Sequence, residues 1–397
     1  MRVLVTTEER FWQCRGHTYV IGISRYDFWK RYLDDFDQVV VLGRALPVER
    51  VEPEWQQVDG ERVSVAALPY YLGPGQYLRR YQALRRAVQR NVSPADAIVL
   101  RVPSPVAMRL GPWLRKTKHP YGLEVNGDPY DMFAPGAIIH PLAPFFRYLF
   151  TRQLRRQCAE AAAVAYITSS ALQRRYPAGP RSFSICCSDC DLPLEAFISE
   201  PRVVTAPKDS STLISVGSMA QMYKAPDVLI KAVAQLARAG RDLRLVLVGD
   251  GRHRPELEEL AATLDLGSRV VFTGQLAAGK PVRDELDRAD LFILPSRAEA
   301  LGRAIIEAMA RGLPCIGSTA GGIPELLPPE DLVPPGDVHA LADKIGQVLD
   351  DPVRMTRMSE NNLKKSFEWR DEILRERRAV FFRVLRERTE KYIQGLG

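Results

Sequence analysis

A chain of 397 residues is longer than one ordinary hydrophobic core, so two domains are expected. Apolar residues at 46% and charged residues at 26% fit a globular protein able to bury a large core, and no apolar run nears the ~20 residues that span a bilayer. The net charge of +7 sits mostly in the first half, where residues 1–200 carry 26 Lys and Arg against 20 Asp and Glu. This suits an anionic partner, such as a phosphorylated acceptor or a membrane surface, and without an Arg/aromatic platform or a helix-turn-helix pattern it does not suit nucleic acid.

The chain opens MRVLVTTEER, which reads as a buried strand over residues 2–6 rather than a secretory signal. A cytoplasmic protein is expected, either free or peripheral on the inner face of a membrane. Residues 8–22 read as a loop with Gly16 and Gly22 about His17. Aromatics at helical spacing follow over 26–33, then strands over 38–42 and 63–68. Gly73-Pro74-Gly75 precedes a basic amphipathic helix over 77–89. Strands over 97–102, 121–125, 163–168 and 183–187, with a helix over 145–161, complete a first α/β series. Residues 192–209 carry Pro193, Pro201 and Pro207 without strong periodicity and read as a linker. The second series has strands over 213–216, 243–248, 270–272, 291–294 and 315–317. Its helices are expected over 226–239, 255–264, 302–312 and 338–350, followed by a mostly helical tail over 355–392. Strands separated by helices predict doubly wound parallel sheets.

Open sheets of this kind bind ligands at their carboxyl edges. There the stretch LFILPSRAEALGRAIIEAMARGLPCIGSTAGGIPE places Glu299 in a loop and Glu307 on the next helix. At ~1.5 Å rise per residue the two acids lie about two turns apart, a separation that can grip both ends of a ligand bearing hydroxyls. Leu301-Gly302-Arg303 lies between them, where exposed N–H groups and the helix dipole favour a diphosphate. A helical Glu is ordinarily a solvated charge, but Glu307 sits in the apolar run AIIEAMA. Lys224, seven residues after Gly217, can neutralise a phosphate, although a single Lys is usually solvent-facing. Glycines at Gly16, Gly22, Gly249, Gly251 and Gly321-Gly322 follow strands and fit either close approach to a ligand or plain turns. No G-x-G-x-x-G fingerprint, Walker A sequence, G-x-S-x-G elbow or H-E-x-x-H is present. Two Asp-x-Asp triplets, Asp35-Phe36-Asp37 and Asp189-Cys190-Asp191, lie away from any nucleotide-binding pattern, and Cys187 and Cys190 lack a partner pair for zinc. No metal and no cofactor are expected.

Glu299-x7-Glu307 followed by EAMARGLPCIGSTAGGIPE resembles the donor-site signature of the retaining GT-B glycosyltransferases of family 4, the glycosyl transferases group 1. SVGSMAQMYKAPDVLIKAV, LVLVGDGRHRPELEELAATLDLGSRVVFTG and FEWRDEILRERRAVFFRVL extend the likeness over about residues 212–385; MRVLVTTEE and VAYITSSALQRRY carry it weakly in the first half. The resemblance implies two Rossmann-like domains facing a cleft. An acceptor domain would span 1–195 and a donor domain 205–371, with a C-terminal helix at about 372–397 crossing back to the first. It implies metal-independent hexosyl transfer, with retention, from a nucleoside-diphosphate sugar to a carbohydrate or lipid-linked acceptor in glycoconjugate synthesis. Glu307 would bind the ribose, Glu299 the sugar hydroxyls, and Lys224 the diphosphate. Thr273-Gly274-Gln275 would lie near the base, Gly16 would back the diphosphate, and Gly217, Ser218, Gly249, Asp250, Leu301 and Gly302 would complete the donor site.

Three positions depart from the family pattern: Ser218 replaces an Arg, Asn126 replaces a His, and RFWQCRGHTYVIG replaces paired glycines. Arg303 is the candidate to supply the missing cation. Asn126 and Asp128 are the candidates on the acceptor side; Asp128 before Pro129 also reads as a turn acid. Residues 142–156, LAPFFRYLFTRQLRR, mix aromatics with arginines and fit either an interfacial helix on anionic lipid or a core helix with a basic outer face. The competing readings are a sugar-nucleotide-binding scaffold with weak catalysis and an epimerase on the same fold.

Overall fold

The computed structural model describes residues 1–22, 24–138, 140–190 and 192–395. Asp191 of the second Asp-x-Asp triplet, and Leu396 and Gly397 of the expected final helix, lie outside the described residues.

Two α/β units follow one another. The strands of the first are β1 (Arg2–Cys14), β2 (His17–Val20), β3 (Gln38–Pro47), β4 (Gln56–Gln57), β5 (Val63–Pro69), β6 (Ala97–Val102), β7 (Gly122–Val125), β8 (Ala163–Tyr166) and β9 (Phe183–Cys186). Seven of them pair in parallel in the order β5-β3-β1-β6-β7-β8-β9. The second unit has β10 (Ser210–Val216), β11 (Asp242–Val248), β12 (Val270–Gly274), β13 (Leu291–Leu294), β14 (Cys315–Ser318) and β15 (Leu332–Val333). These form a parallel sheet in the order β12-β11-β10-β13-β14-β15. In both sheets the order reverses beside the first strand, which opens a crevice at the carboxyl edge. The expected doubly wound α/β class is what the chain adopts.

The sheets are buried on both faces, which is why β8 and β13 read as unbroken apolar runs. One buried cluster joins the units: it holds Leu100 and Val125 of the first sheet, Ile214 and Phe292 of the second, and Leu192, Ala196 and Trp369 of the connecting segments. The helix Asp371–Gln394 returns to the first sheet and buries Phe381, Phe382 and Leu385 against Val3, Val5 and Val99. Arg386 and Tyr392 on it donate to the carbonyls of Asp35 (2.7 Å) and Thr117 (3.0 Å).

Several local expectations differ from what forms. Residues 8–22 are not a loop. The β1–β3 register shifts between Thr6 and Arg10, and β1 then resumes, pairing Arg10–Gln13 with Arg44–Pro47 before turning into β2. This is a bulge: extra residues bow out and the ladder continues. The segment 192–209 is not loose either, because Arg202 donates to the carbonyls of Leu286, Ala289 and Arg311 and pins it to the second unit. A helix over Pro105–Thr117 went unread, although Ser104 caps it (3.0 Å from Ala107 N) and Pro105 opens it. No described helix is long and apolar enough to cross a membrane.

Candidate functional site

The second unit gathers most of the expected donor residues at its carboxyl edge. Gly217 follows β10 and Gly249 follows β11, and these loops touch. A Cβ on Gly249 would stand 2.1 Å from the Gly217 carbonyl oxygen, so the approach requires glycine. Gly249 N–H donates to the Gly274 carbonyl (3.0 Å) at the end of β12, and Met219 N–H donates to the Asp250 carbonyl (2.9 Å). Ser218 accepts from Ala220 N–H at 3.2 Å. Thr273 and Gln275 bond locally, to the carbonyls of Gly274 and Leu276.

Lys224 closes a short 3-10 turn, Met222–Lys224, and its stem runs along Gly217. Its ammonium pairs with the Glu299 carboxylate, which also accepts from Ser296 Oγ at 3.4 Å. Sequence reasoning assigned these two residues to different parts of one ligand, and the fold brings them into contact. Arg297, which that reasoning missed, holds the two loops together. Its guanidinium grips Asp227 through two bonds of 2.7 Å, and its N–H donates to the Tyr223 carbonyl at 2.7 Å. Nothing in the local sequence marks this pair, because it joins positions 70 residues apart.

The loop after β13 reaches Leu301 and Gly302, and the helix Arg303–Ala310 begins there. Behind it lies the loop after β14. A Cβ on Gly321 would fall 1.5 Å from the Glu299 carbonyl oxygen, so a side chain at Gly321 would displace the backbone that carries Glu299. Glu307 sits on the second turn of the helix. Burial pushes its carboxyl above the ordinary range, with Arg303 and Arg283 partly opposing. Arg303 turns towards the first unit, where Asp189 stands 3.9 Å away. Burial would raise the Asp189 carboxyl, but Arg303, Arg101 and Arg31 hold it down at about 2. Without ligand, then, Arg303 faces an acid rather than a free anion site.

On the first unit, Asn126 follows β7 and its N–H donates to the Val102 carbonyl (2.9 Å). It lines a cavity of about 600 Å³ with Thr7, Glu8, Arg101 and Gly127. Asp128 is not a free acid on the acceptor side. Its Oδ1 accepts from Tyr130 N–H (2.9 Å) and the Tyr176 hydroxyl (2.5 Å), and its Oδ2 pairs with Arg175, so it works as the turn acid that caps Pro129–Met132. It borders a second cavity of about 510 Å³ shared with Arg297, Ala300 and Gly321 of the other unit. Gly16 is the turn of the β1–β2 hairpin with open space around it; the residues at the β1 edge beside Asn126 are Thr7, Glu8 and Glu9. Among the described residues no group of three or more His, Cys, Asp or Glu side chains could hold a metal ion.

One contact across the cleft was not foreseen. Glu325, at the end of the GGIPE segment, presents its carboxylate to the chain after β8. It accepts from Ser169 N–H (2.6 Å) and Oγ (2.8 Å), Ser170 N–H (3.0 Å) and Oγ (3.0 Å), and Ala171 N–H (2.5 Å). Burial would raise its carboxyl, but these hydrogen bonds outweigh that and hold it below the ordinary range.

Residues 197–365 match the family model described as glycosyl transferases group 1. Protein CapJ of Staphylococcus aureus is 26% identical over 353 residues, which cover 87% of this chain and 86% of that protein. An alpha-D-kanosaminyltransferase of Streptomyces kanamyceticus is 35% identical over 176 residues, 43% of this chain and 45% of that enzyme. Among solved structures, sucrose-phosphate synthase from Thermosynechococcus elongatus superposes with a TM-score of 0.72 at 18% identity, covering 97% of this chain and 99% of that one. WaaG, a glycosyltransferase of lipopolysaccharide biosynthesis, gives 0.66 at 16%, covering 96% and 99%. HepE of Anabaena, solved with UDP-glucose, gives 0.61 at 17% and covers all of both chains. The two-sheet architecture is therefore that of the GT-B glycosyltransferase structures, and the second unit carries the group 1 match.

Proposed function

We propose that this protein is a glycosyltransferase that moves a hexosyl group from a nucleoside-diphosphate sugar to an acceptor hydroxyl, with retention and without a metal. The observation that carries the reading is the Lys224–Glu299 ion pair at the carboxyl edge of the second sheet, beside the helix start at Gly302. A sugar diphosphate bridging that place separates the pair. Lys224 takes the phosphate and Glu299 takes the sugar hydroxyls, so each ion exchanges its partner for the ligand rather than for water.

Glu307 then holds the ribose, and the segment Thr273-Gly274-Gln275 borders the base. As the glycosidic bond breaks, negative charge grows on the leaving diphosphate. Lys224, the N–H groups of the helix start at Gly302 and Arg303, once released from Asp189, oppose that charge as fixed electrostatics. The acceptor enters from the first unit and attacks from the leaving-group side. Asn126 can donate and accept hydrogen bonds there but cannot act as a base. The helix Ala143–Glu160 exposes Phe145 and Tyr148 beside Arg152 and Arg156, which supports a peripheral place on an anionic membrane.

Incubation with a panel of nucleotide sugars, read by mass spectrometry and by the anomeric proton of the product, tests this reading. An α-linked product from an α-linked donor is expected; inversion removes the retaining mechanism. Asn126 and Ser218 favour one rival, a sugar-nucleotide-binding scaffold. Tight donor binding with no release of nucleoside diphosphate in the presence of acceptor would establish it.

A further inference from the structure

The β1 extension has no part in the donor site, yet it walls the 600 Å³ cavity beside Asn126. Beyond the bulge, β1 alternates. Phe11 is buried in the first unit, while Arg10 and Trp12 lie on the opposite face and line the cavity together. The strand is held on both sides, Trp12 opposite Leu46 of β3 and Tyr19 of β2, so this face is built on paired backbone rather than on a loose loop. Trp55 stacks on Trp12 at 4.7 Å between ring centroids and 24° between planes, which fixes the indole at the cavity wall.

Charge at this wall is selective. Glu8 accepts from Ser104 Oγ and Val106 N–H, and from the Tyr71 hydroxyl, and pairs with Arg44. Glu9 accepts from Ser24 Oγ. Arg101 is taken by Glu124 and Asp189. Arg10 is exposed, and its guanidinium makes no hydrogen bond or ion pair among the described residues. The wall therefore presents an indole fixed in place and, two residues away on the same face, an uncommitted guanidinium. The apolar C–H face of a pyranose packs on an indole, and a guanidinium prefers a carboxylate or phosphate to a neutral hydroxyl.

We propose that this cavity is the acceptor subsite and that it takes a glycan bearing an anionic substituent, its ring on Trp12 and its carboxylate or phosphate on Arg10. The proposal rests on the first unit being the acceptor side of a glycosyltransferase.

The full chain is tested on an array of matched oligosaccharides in three forms: neutral, uronate-bearing and phosphate-bearing. UDP-glucose and GDP-mannose binding is measured by calorimetry on the same preparation. The wild type is expected to retain an acidic form at least about tenfold over the neutral one. The stronger of the two acidic forms identifies the substituent as carboxylate or phosphate. Arg10→Gln is expected to remove the discrimination, Arg10→Lys to keep most of it, and Trp12→Ala to weaken every form. Arg10 is exposed, so its variants are expected to melt with the wild type. Equal retention of neutral and acidic forms, no retention of any, or discrimination that survives Arg10→Gln overturns the proposal. Loss of both donors with discrimination intact counts against the transferase reading alone. Donor binding with no acidic preference counts against the acidic acceptor alone.

Discussion

Glu325→Gln exchanges one oxygen of the carboxylate that spans the cleft for an amide NH2. The wild-type carboxylate accepts five hydrogen bonds from Ser169, Ser170 and Ala171, three of them from backbone N–H groups that cannot turn away. An amide keeps one acceptor oxygen, which in the place of Oε1 retains the three bonds from Ser170 and Ala171, and turns its NH2 on the Ser169 N–H and hydroxyl, so two of the five bonds are lost. A hydrogen bond to a charged group contributes on the order of 1.5–3 kcal/mol and a neutral one about 1. Glu325 is partly exposed, so water replaces part of the loss and ~2 kcal/mol is the expected net. That is about a 30-fold change in the ratio of closed to open arrangements. Small-angle scattering should show a larger radius of gyration, and kcat/KM should fall while each unit keeps its circular dichroism. Ser169→Ala with Ser170→Ala removes only the hydroxyls and should cost about half as much. The pH dependence follows in sign. The carboxyl is held below its ordinary value, so the clasp is fully formed above about pH 4.5 and is lost as pH falls through that lowered value. Wild type and Glu325→Gln should therefore converge in acid. An identical scattering profile and an unchanged kcat/KM in Glu325→Gln would refute the clasp.

Lys224→Met should weaken nucleoside-diphosphate affinity by about 10–100-fold in calorimetry, and Glu299→Ala should lower kcat/KM for the complete donor; normal turnover in either removes that residue from the site. Arg303→Ala should weaken donor binding about tenfold, while Asp189→Asn, which frees Arg303, should tighten it a few-fold; unchanged affinity in both rules out Arg303 as a diphosphate cation. Because burial favours the neutral form of Glu307, Glu307→Gln should hold donor affinity within about threefold and Glu307→Ala should lose about tenfold; equal losses would show that the charge itself binds. Phe145→Ser with Tyr148→Ser should abolish co-sedimentation with phosphatidylglycerol vesicles, and a wild type that does not sediment with them ends the membrane reading.

The second unit was legible because its candidate residues are local. Glu299, Gly302 and Glu307 lie within one strand–loop–helix, and buried parallel strands announce themselves as apolar runs. Contacts between distant segments were not legible. Arg297 with Asp227, Arg303 with Asp189 and Glu325 with Ser169 each pair residues that no window of sequence holds together. The β1 extension was misread for a different reason. The bulge at Thr7–Glu9 interrupts the ladder after the buried run Val3–Thr7, and the mixed polar and apolar residues Arg10–Cys14 that resume it carry no such run. Asp128 was read from its neighbours as either an acceptor-side acid or a turn acid. Arg175 and Tyr176, which hold it in the turn, come more than 40 residues later.

The returning helix Asp371–Gln394 also sets an order of events during synthesis. Phe381, Phe382 and Leu385 cover the strands that carry Val3, Val5 and Val99, yet they leave the ribosome after the whole second sheet. Until then the first unit has its strands but not its lid, and an apolar face stays open while some 170 further residues are made and folded. The nascent chain is thus most exposed to aggregation just when its second sheet is complete, and any truncation meant to isolate residues 1–195 recreates that unfinished state.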